Sequence, residues 1–164
     1  ATLKYGRSET PLPNLRSFNL KPAIDEAMAE GGAGWPGVAV RVSCADDLQV
    51  MADDDHLHRV ITNIVRNAAK AITSRPAGSE AGLVVAEARR AGDQIVLTIS
   101  DNGPGVPKAV IAKLFQPFSR AGSDGGTGLG LAIARELARG MGGDLELVTA
   151  SAAGSAFALT LRAG

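Results

Sequence analysis

Covalent and metal cross-links have little to draw on in this chain, since its 164 residues include one cysteine, Cys44, and two histidines, His56 and His58. A lone cysteine excludes an internal disulfide and fits a reducing compartment, with a structural role as its ordinary reading. An excess of one charge is also lacking: 17 Lys and Arg balance 17 Asp and Glu, and no run of basic residues concentrates a field. That excludes the broad basic surface by which a protein gathers nucleic acid. No stretch nears the roughly 18 uninterrupted apolar residues of a membrane span. Neither a secretory leader nor an internal repeat is evident. What remains is one soluble domain's worth of chain, long enough to bury a sizeable core.

What the chain does have is glycine in two informative places. Gln94 to Ser100 alternates, with Gln94, Val96, Thr98 and Ser100 on one face and Ile95, Leu97 and Ile99 on the other, which predicts a strand. Its far end delivers a carboxylate to the glycine-lined turn Asp101-Asn102-Gly103-Pro104-Gly105. Glycines let backbone approach a flat ligand, and a carboxylate accepts a hydrogen bond from an exocyclic amine such as that of adenine. The second cluster, Gly126-Thr127-Gly128-Leu129-Gly130-Leu131, opens a helix predicted from Leu129 to about Met141. Free N–H groups and the helix dipole there suit phosphates.

A third element is the amphipathic helix His58 to Ile72. Asn63, Asn67 and Lys70, spaced i, i+4, i+7, share one face, while Val60, Ile61, Ile64, Val65 and Ile72 offer apolar surface to a sheet. An amide oxygen is a plausible Mg²⁺ ligand when a triphosphate supplies most of the charge, and a lysine pairs with phosphate as a point charge.

Around these elements, Pro11, Pro13 and Asn14 read as a linker, and Phe18-Asn19-Leu20 as a short strand entering a helix that starts near Pro22 and ends at Gly31-Gly32. Strands are predicted at Val38 to Ser43 and Leu48 to Ala52, then a polar connection from Ser74 to Gly82. Leu83 to Arg89 pairs with Gln94 to Ser100 through Ala91-Gly92-Asp93, and Asp144 to Thr149 with Ala156 to Leu161 complete the sheet. The alternation predicts an α/β two-layer sandwich with helices on one sheet face.

The chain resembles the ATP-binding catalytic domain of sensor histidine kinases, in the superfamily shared with gyrase, mismatch-repair ATPases and heat-shock chaperones. Four boxes carry the resemblance in family order: an N box (Asn63 to Lys70), a G1 box (Asp101 to Gly105), an F box (Phe115-Gln116-Pro117-Phe118) and a G2 box (Gly126 to Leu131). The resemblance implies a mixed, mostly antiparallel sheet, the Bergerat ATP-binding fold, with ATP and Mg²⁺ as ligands. It implies that Asn67 ligates Mg²⁺, Asn63 and Lys70 touch phosphates, and Asp101 binds the adenine amino group. Gly103, Gly105, Val106 and the stretch Gly126, Thr127, Gly128, Leu129, Gly130 and Leu131 would line the nucleotide, and Arg120 would reach the γ-phosphate. Asn67, Lys70 and Arg120 are thereby the residues implied for phosphoryl transfer.

Four residues before Asn67 the ATP-hydrolysing branches carry a Glu that handles the attacking water; Asn63 cannot act as a base. The resemblance therefore implies a pocket that holds ATP without efficient hydrolysis and donates its γ-phosphate to a histidine on a partner helix. The family's acceptor is a His followed by an acidic residue, whereas His56 and His58 precede Leu57 and Arg59. The acceptor is thus expected on a dimerisation and phosphotransfer domain of the same protein, with Ala1 to Ser8 as its tail, residues 1–14 as that tail plus linker and 15–164 as the catalytic domain. A response regulator is the implied downstream partner. The implied location is cytoplasmic, with no nucleic acid or membrane contact by this domain, although the parent protein could be membrane-anchored. The alternatives are a nucleotide-binding scaffold of a pseudokinase and an ATPase of the chaperone or topoisomerase type, against which Asn63 argues.

Other features carry plainer expectations. Asp53-Asp54-Asp55 reads as capping and dipole partners of a helix start rather than a metal site. Phe115 and Phe118 read as apolar packing that also fastens residues 106–125 as a lid, with Ser123 to Gly126 having little to bury. Trp35 reads as a surface anchor. Ser119 stands where many relatives have an aromatic residue, and Ala71 and Ala156 lack polar groups found in some.

Overall fold

Hydrophobic alternation along the strands decides which side of the sheet the helices cover. A computed structural model describes residues 12–116, 130–151 and 153–164. Its elements run β1 (Arg16–Asn19), α1 (Leu20–Gly32), β2 (Val38–Ser43), β3 (Gln49–Ala52), α2 (Asp54–Thr73), β4 (Gly82–Ala91), β5 (Gln94–Asp101), α3 (Lys108–Ile111), α4 (Gly130–Gly140), β6 (Asp144–Ser151) and β7 (Gly154–Ala163). In β5, Ile95, Leu97 and Ile99 are buried while Val96, Thr98 and Ser100 are half-buried, as the alternation predicts. β7 buries Phe157, Leu159 and Leu161, and β4 buries Val84 and Ala86, on the same side. These residues join one core with the apolar faces of α1, α2 and α4.

The sheet runs β1-β3-β7-β5-β4-β2, with β6 also paired to β7. Among the described residues only β2 and β4 are parallel and every other pair is antiparallel, so the sheet is mixed and mostly antiparallel. β5 pairs along one edge of β7 from Asp101↔Ser155 to Gln94↔Arg162. The other edge is shared end to end: β6 takes its first part, up to Asp144↔Thr160, and β3 takes Arg162 and Ala163.

α2 is the central helix. Val60, Ile61, Ile64, Val65 and Ile72 are all buried, joined by Leu57, Ala68 and Ala69; truncating one of the large ones to Ala costs about 2–5 kcal/mol. The helix begins at Asp54, one turn before the apolar stripe that starts at His58, and as the capping reading of the acid triplet expects, Asp53 caps it: its carboxylate accepts the His56 N–H at 3.0 Å. Asp54 and Asp55 follow in the first turn, where the dipole favours acids. The acid triplet thus acts as a helix start.

α1 begins earlier than predicted. Asn19 accepts the Lys21 N–H at 3.1 Å as N-cap, so Leu20, read as strand, is the first helical residue and is fully buried. Pro22 sits in the first turn, where its missing N–H costs nothing. Trp35 is half-buried and packs against the core, in keeping with a surface anchor. The single turn α3 was not anticipated. Among the described residues no helix is long and apolar enough to cross a membrane. The expectations for Ala1 to Ser8 and Pro11 fall outside the described residues.

Candidate functional site

Asp101 ends β5 with the same parity as Ile95, Leu97 and Ile99, so its side chain points toward the helix layer rather than the open sheet face. There its Oδ1 accepts the Gly103 N–H at 2.8 Å and its Oδ2 accepts the Ser155 hydroxyl at 3.2 Å. Burial raises the carboxyl from its ordinary value, and the Gly103 and Ser155 hydrogen bonds only partly counter it. An incompletely compensated carboxylate of this kind is a common mark of a functional site.

The two glycines beyond it are structurally required. Gly103 is buried, and a Cβ there would lie 3.0 Å from Asp101 Oδ1 and 3.4 Å from the Ile72 backbone nitrogen, so the turn lies against the end of α2. Gly105 has φ +83°, and a Cβ there would run into the Ser151 carbonyl oxygen. Val106 follows, half-buried.

On α2 the three polar positions differ in exposure: Asn63 and Lys70 are half-buried and Asn67 is exposed. The Asn63 amide donates to the Gly130 carbonyl at 3.1 Å, which ties the predicted phosphate helix to the first residue of α4. Gly130 is exposed, whereas Leu131 belongs to the core, leaving only its backbone to face a ligand. Arg120, Gly126, Thr127, Gly128 and Leu129 lie outside the described residues, as do Pro117, Phe118, Ser119 and the segment Ser123 to Gly125. The geometry thus sets Asp101 and Gly103 against the end of α2, and Asn63, further up the same helix, against the start of α4.

Phe115 is held by two contacts. Its ring meets Phe157 edge-on at 6.2 Å between centroids, and the Arg135 guanidinium lies 4.4 Å above it. Arg135 is in turn held by Asp144 at 3.3 Å, a carboxylate that Arg139 also reaches at 2.9 Å. Burial would raise the Asp144 carboxyl, but the hydrogen bonds from Arg139, Leu145 and Arg135 leave it below its ordinary value. The expectation that Phe115 packs is met, while its lid role for residues 106–125 rests on residues that lie in part outside the described ones.

Several participants escaped sequence reading. Ser155 meets Asp101 because the two are register partners across β5 and β7, and strand order is not written in local pattern. Asn102 staples β4: its Oδ1 accepts the Leu83 N–H at 2.9 Å and its Nδ2 donates to the Ala81 carbonyl at 2.8 Å. An open cavity of about 360 Å³ beyond the end of α2 is lined by Gly37, Thr73, Arg75 and Glu80, among others, and by none of the predicted site residues.

A family model described as histidine kinase-, DNA gyrase B-, and HSP90-like ATPase matches residues 52–164. Sensor protein TorS of Escherichia coli (strain K12) is 32% identical over 149 residues, covering 88% of this chain and 16% of TorS. The C4-dicarboxylate transport sensor protein DctB of Rhizobium meliloti (strain 1021) is 38% identical over 117 residues, covering 71% of this chain and 18% of DctB. The chain therefore spans less than a fifth of these relatives. Among solved structures, a mycobacterial sensor histidine kinase, MprB, superposes with a TM-score of 0.76 at 27% identity, covering 90% of this chain and 98% of that one.

Proposed function

Because this chain belongs to the histidine kinase-, DNA gyrase B-, and HSP90-like ATPase family, we propose that it binds Mg·ATP and donates the γ-phosphate to a histidine on a separate dimerisation and phosphotransfer domain. The observation that carries the reading is Asp101: a half-buried carboxylate at a strand end, raised by desolvation and bracketed by Gly103 and Ser155. Such a group gains most from a ligand that offers an N–H, as the adenine amino group does.

In this reading Asp101 orients the base, while Gly103, Gly105 and Val106 let backbone lie against it. Asn63, Lys70, Gly130, the backbone of Leu131 and the stretch Gly126, Thr127, Gly128 and Leu129 receive the phosphates, and Arg120 reaches the γ-phosphate. The exposed amide of Asn67, one turn beyond Asn63, suits Mg²⁺, which tolerates a neutral oxygen ligand when phosphates carry the charge. When bound, the ion neutralises charge on the phosphate oxygens. The protein's own part is positioning and electrostatics, because phosphoryl transfer asks little covalent chemistry of the donor site. The attacking imidazole nitrogen takes the γ-phosphoryl group and ADP leaves. Asn63 supplies no base for water.

Residues 15–164 would form this donor domain, joined through residues 1–14 to the acceptor domain of the same cytoplasmic kinase region, with a response regulator as the onward acceptor. Calorimetry with ATP and ADP, paired with a phosphate-release assay, tests the first half. Mg²⁺-assisted binding with negligible turnover is expected, whereas steady hydrolysis at about 1 s⁻¹ or faster would point to an ATPase instead. The second half is tested by mixing the chain with its dimerisation domain, where acid-labile, alkali-stable label should appear on that partner and none on His56 or His58.

A further inference from the structure

Arg75 follows the last turn of α2 and donates to three backbone carbonyls at once. Its Nε reaches Ile72 O at 3.1 Å, its Nη1 reaches Asn102 O at 3.1 Å and its Nη2 reaches Glu80 O at 2.6 Å. The Ile72 bond alone would be a helix C-terminal cap satisfying an orphan carbonyl. The Asn102 bond is different in kind, because it spans 27 residues and lands beside Asp101. Asn102 is itself pinned to Leu83 and Ala81 by its side chain, so the far end of the bridge is rigid. Only a planar fork with five donors fits this set, since a lysine ammonium cannot span three divergent carbonyls.

We infer that Arg75 is a positioning residue for the nucleotide, fixing the spacing between α2, which carries Asn63, Asn67 and Lys70, and the end of β5, which carries Asp101. The inference rests on the nucleotide reading above. A ligand gripped at both ends gains from the second grip only while that spacing is held. Loss of Arg75 therefore penalises ligands that touch both sides more than ligands that touch one.

Arg75→Ala and Arg75→Lys are titrated beside the unaltered protein with Mg·ATP, ADP and adenosine, below the melting temperature and with folding checked by circular dichroism. Arg75→Ala is expected to weaken ATP and ADP about tenfold and adenosine by less than about twofold, with Arg75→Lys intermediate, about threefold, on ATP. If the alanine variant does not fold, the lysine variant decides on the same criterion. ATP affinity unchanged in a folded variant, or adenosine weakened as much as ATP, would overturn the assignment. Failure of the unaltered protein to bind Mg·ATP would instead refute the nucleotide reading itself.

Discussion

Asp53 and Asp101 are the same residue type, both drawn out of water by folding, and burial pushes both carboxyls upward. At Asp53 the push is outweighed by the N–H groups of Asn14, His56 and Asp55 together with the charge of His56, so the carboxyl ends below its ordinary value. At Asp101 the hydrogen bonds from Gly103 and Ser155 fall short, and the carboxyl ends above it. Asp53 joins the segment before β1 to the start of α2, with the Asn14 N–H 2.7 Å from its Oδ2. The two sites show that burial alone does not mark function. The informative quantity is burial left uncompensated, which a stable fold would avoid unless a ligand completes the set.

The largest effect expected from breaking the contrast is on binding. Asp101→Asn should weaken ATP and ADP about 30-fold with or without Mg²⁺, the worth of a charge-assisted hydrogen bond at a half-buried site; calorimetry reads it. Asn67→Ala should remove an affinity increment of about tenfold that appears only with Mg²⁺. Equal losses from both substitutions, independent of Mg²⁺, would erase the division between base and metal sides.

Asp53→Ala should leave nucleotide affinity near its original value while lowering stability by about 1–2 kcal/mol through loss of the cap, measured by urea unfolding. The smallest effect is in pH dependence, and its sign separates the two residues. Asp53, held low, contributes stability present above the unfolded value near 3.8 and lost as pH falls through its folded value. Asp101, held high, does the reverse: its contribution is complete below about 3.8 and is lost as pH rises through its folded value. Ligand-free Asp101→Asn should therefore unfold at a slightly higher urea midpoint than the original protein at pH 7, with the gain fading in acid.

Local pattern was enough for most of the fold. The alternation of β5, the apolar stripe of α2 and the hairpin through Gly92 are all consequences of side-chain periodicity, which is written residue by residue. The start of α1 was misread by two residues because Asn19 caps it before the apolar pattern begins, whereas the acids Asp53 to Asp55 had already marked the start of α2. At the site, Asp101, Gly103 and Gly105 were legible because a strand end followed by glycines has few structural excuses. Ser155, Asn102 and Arg75 were not. Each acts through a partner brought close by strand pairing or chain return, and a serine, an asparagine and an arginine carry no local signature of such a role.

β7 holds three strands at once, β5 on one edge and β6 with β3 on the other, yet it comes after all of them in chain order. During synthesis, β1 and β3 can pair early, and so can β4 with β5 and β2, but these are separate ribbons until residues 154–163 arrive to stitch them. A nascent chain stalled before Gly154 would expose the unpaired edges of β5 and β3 together, the situation in which strands find wrong partners. Quality control of this domain is thereby concentrated at β7: a frameshift there should yield insoluble chains rather than a weakened but folded one.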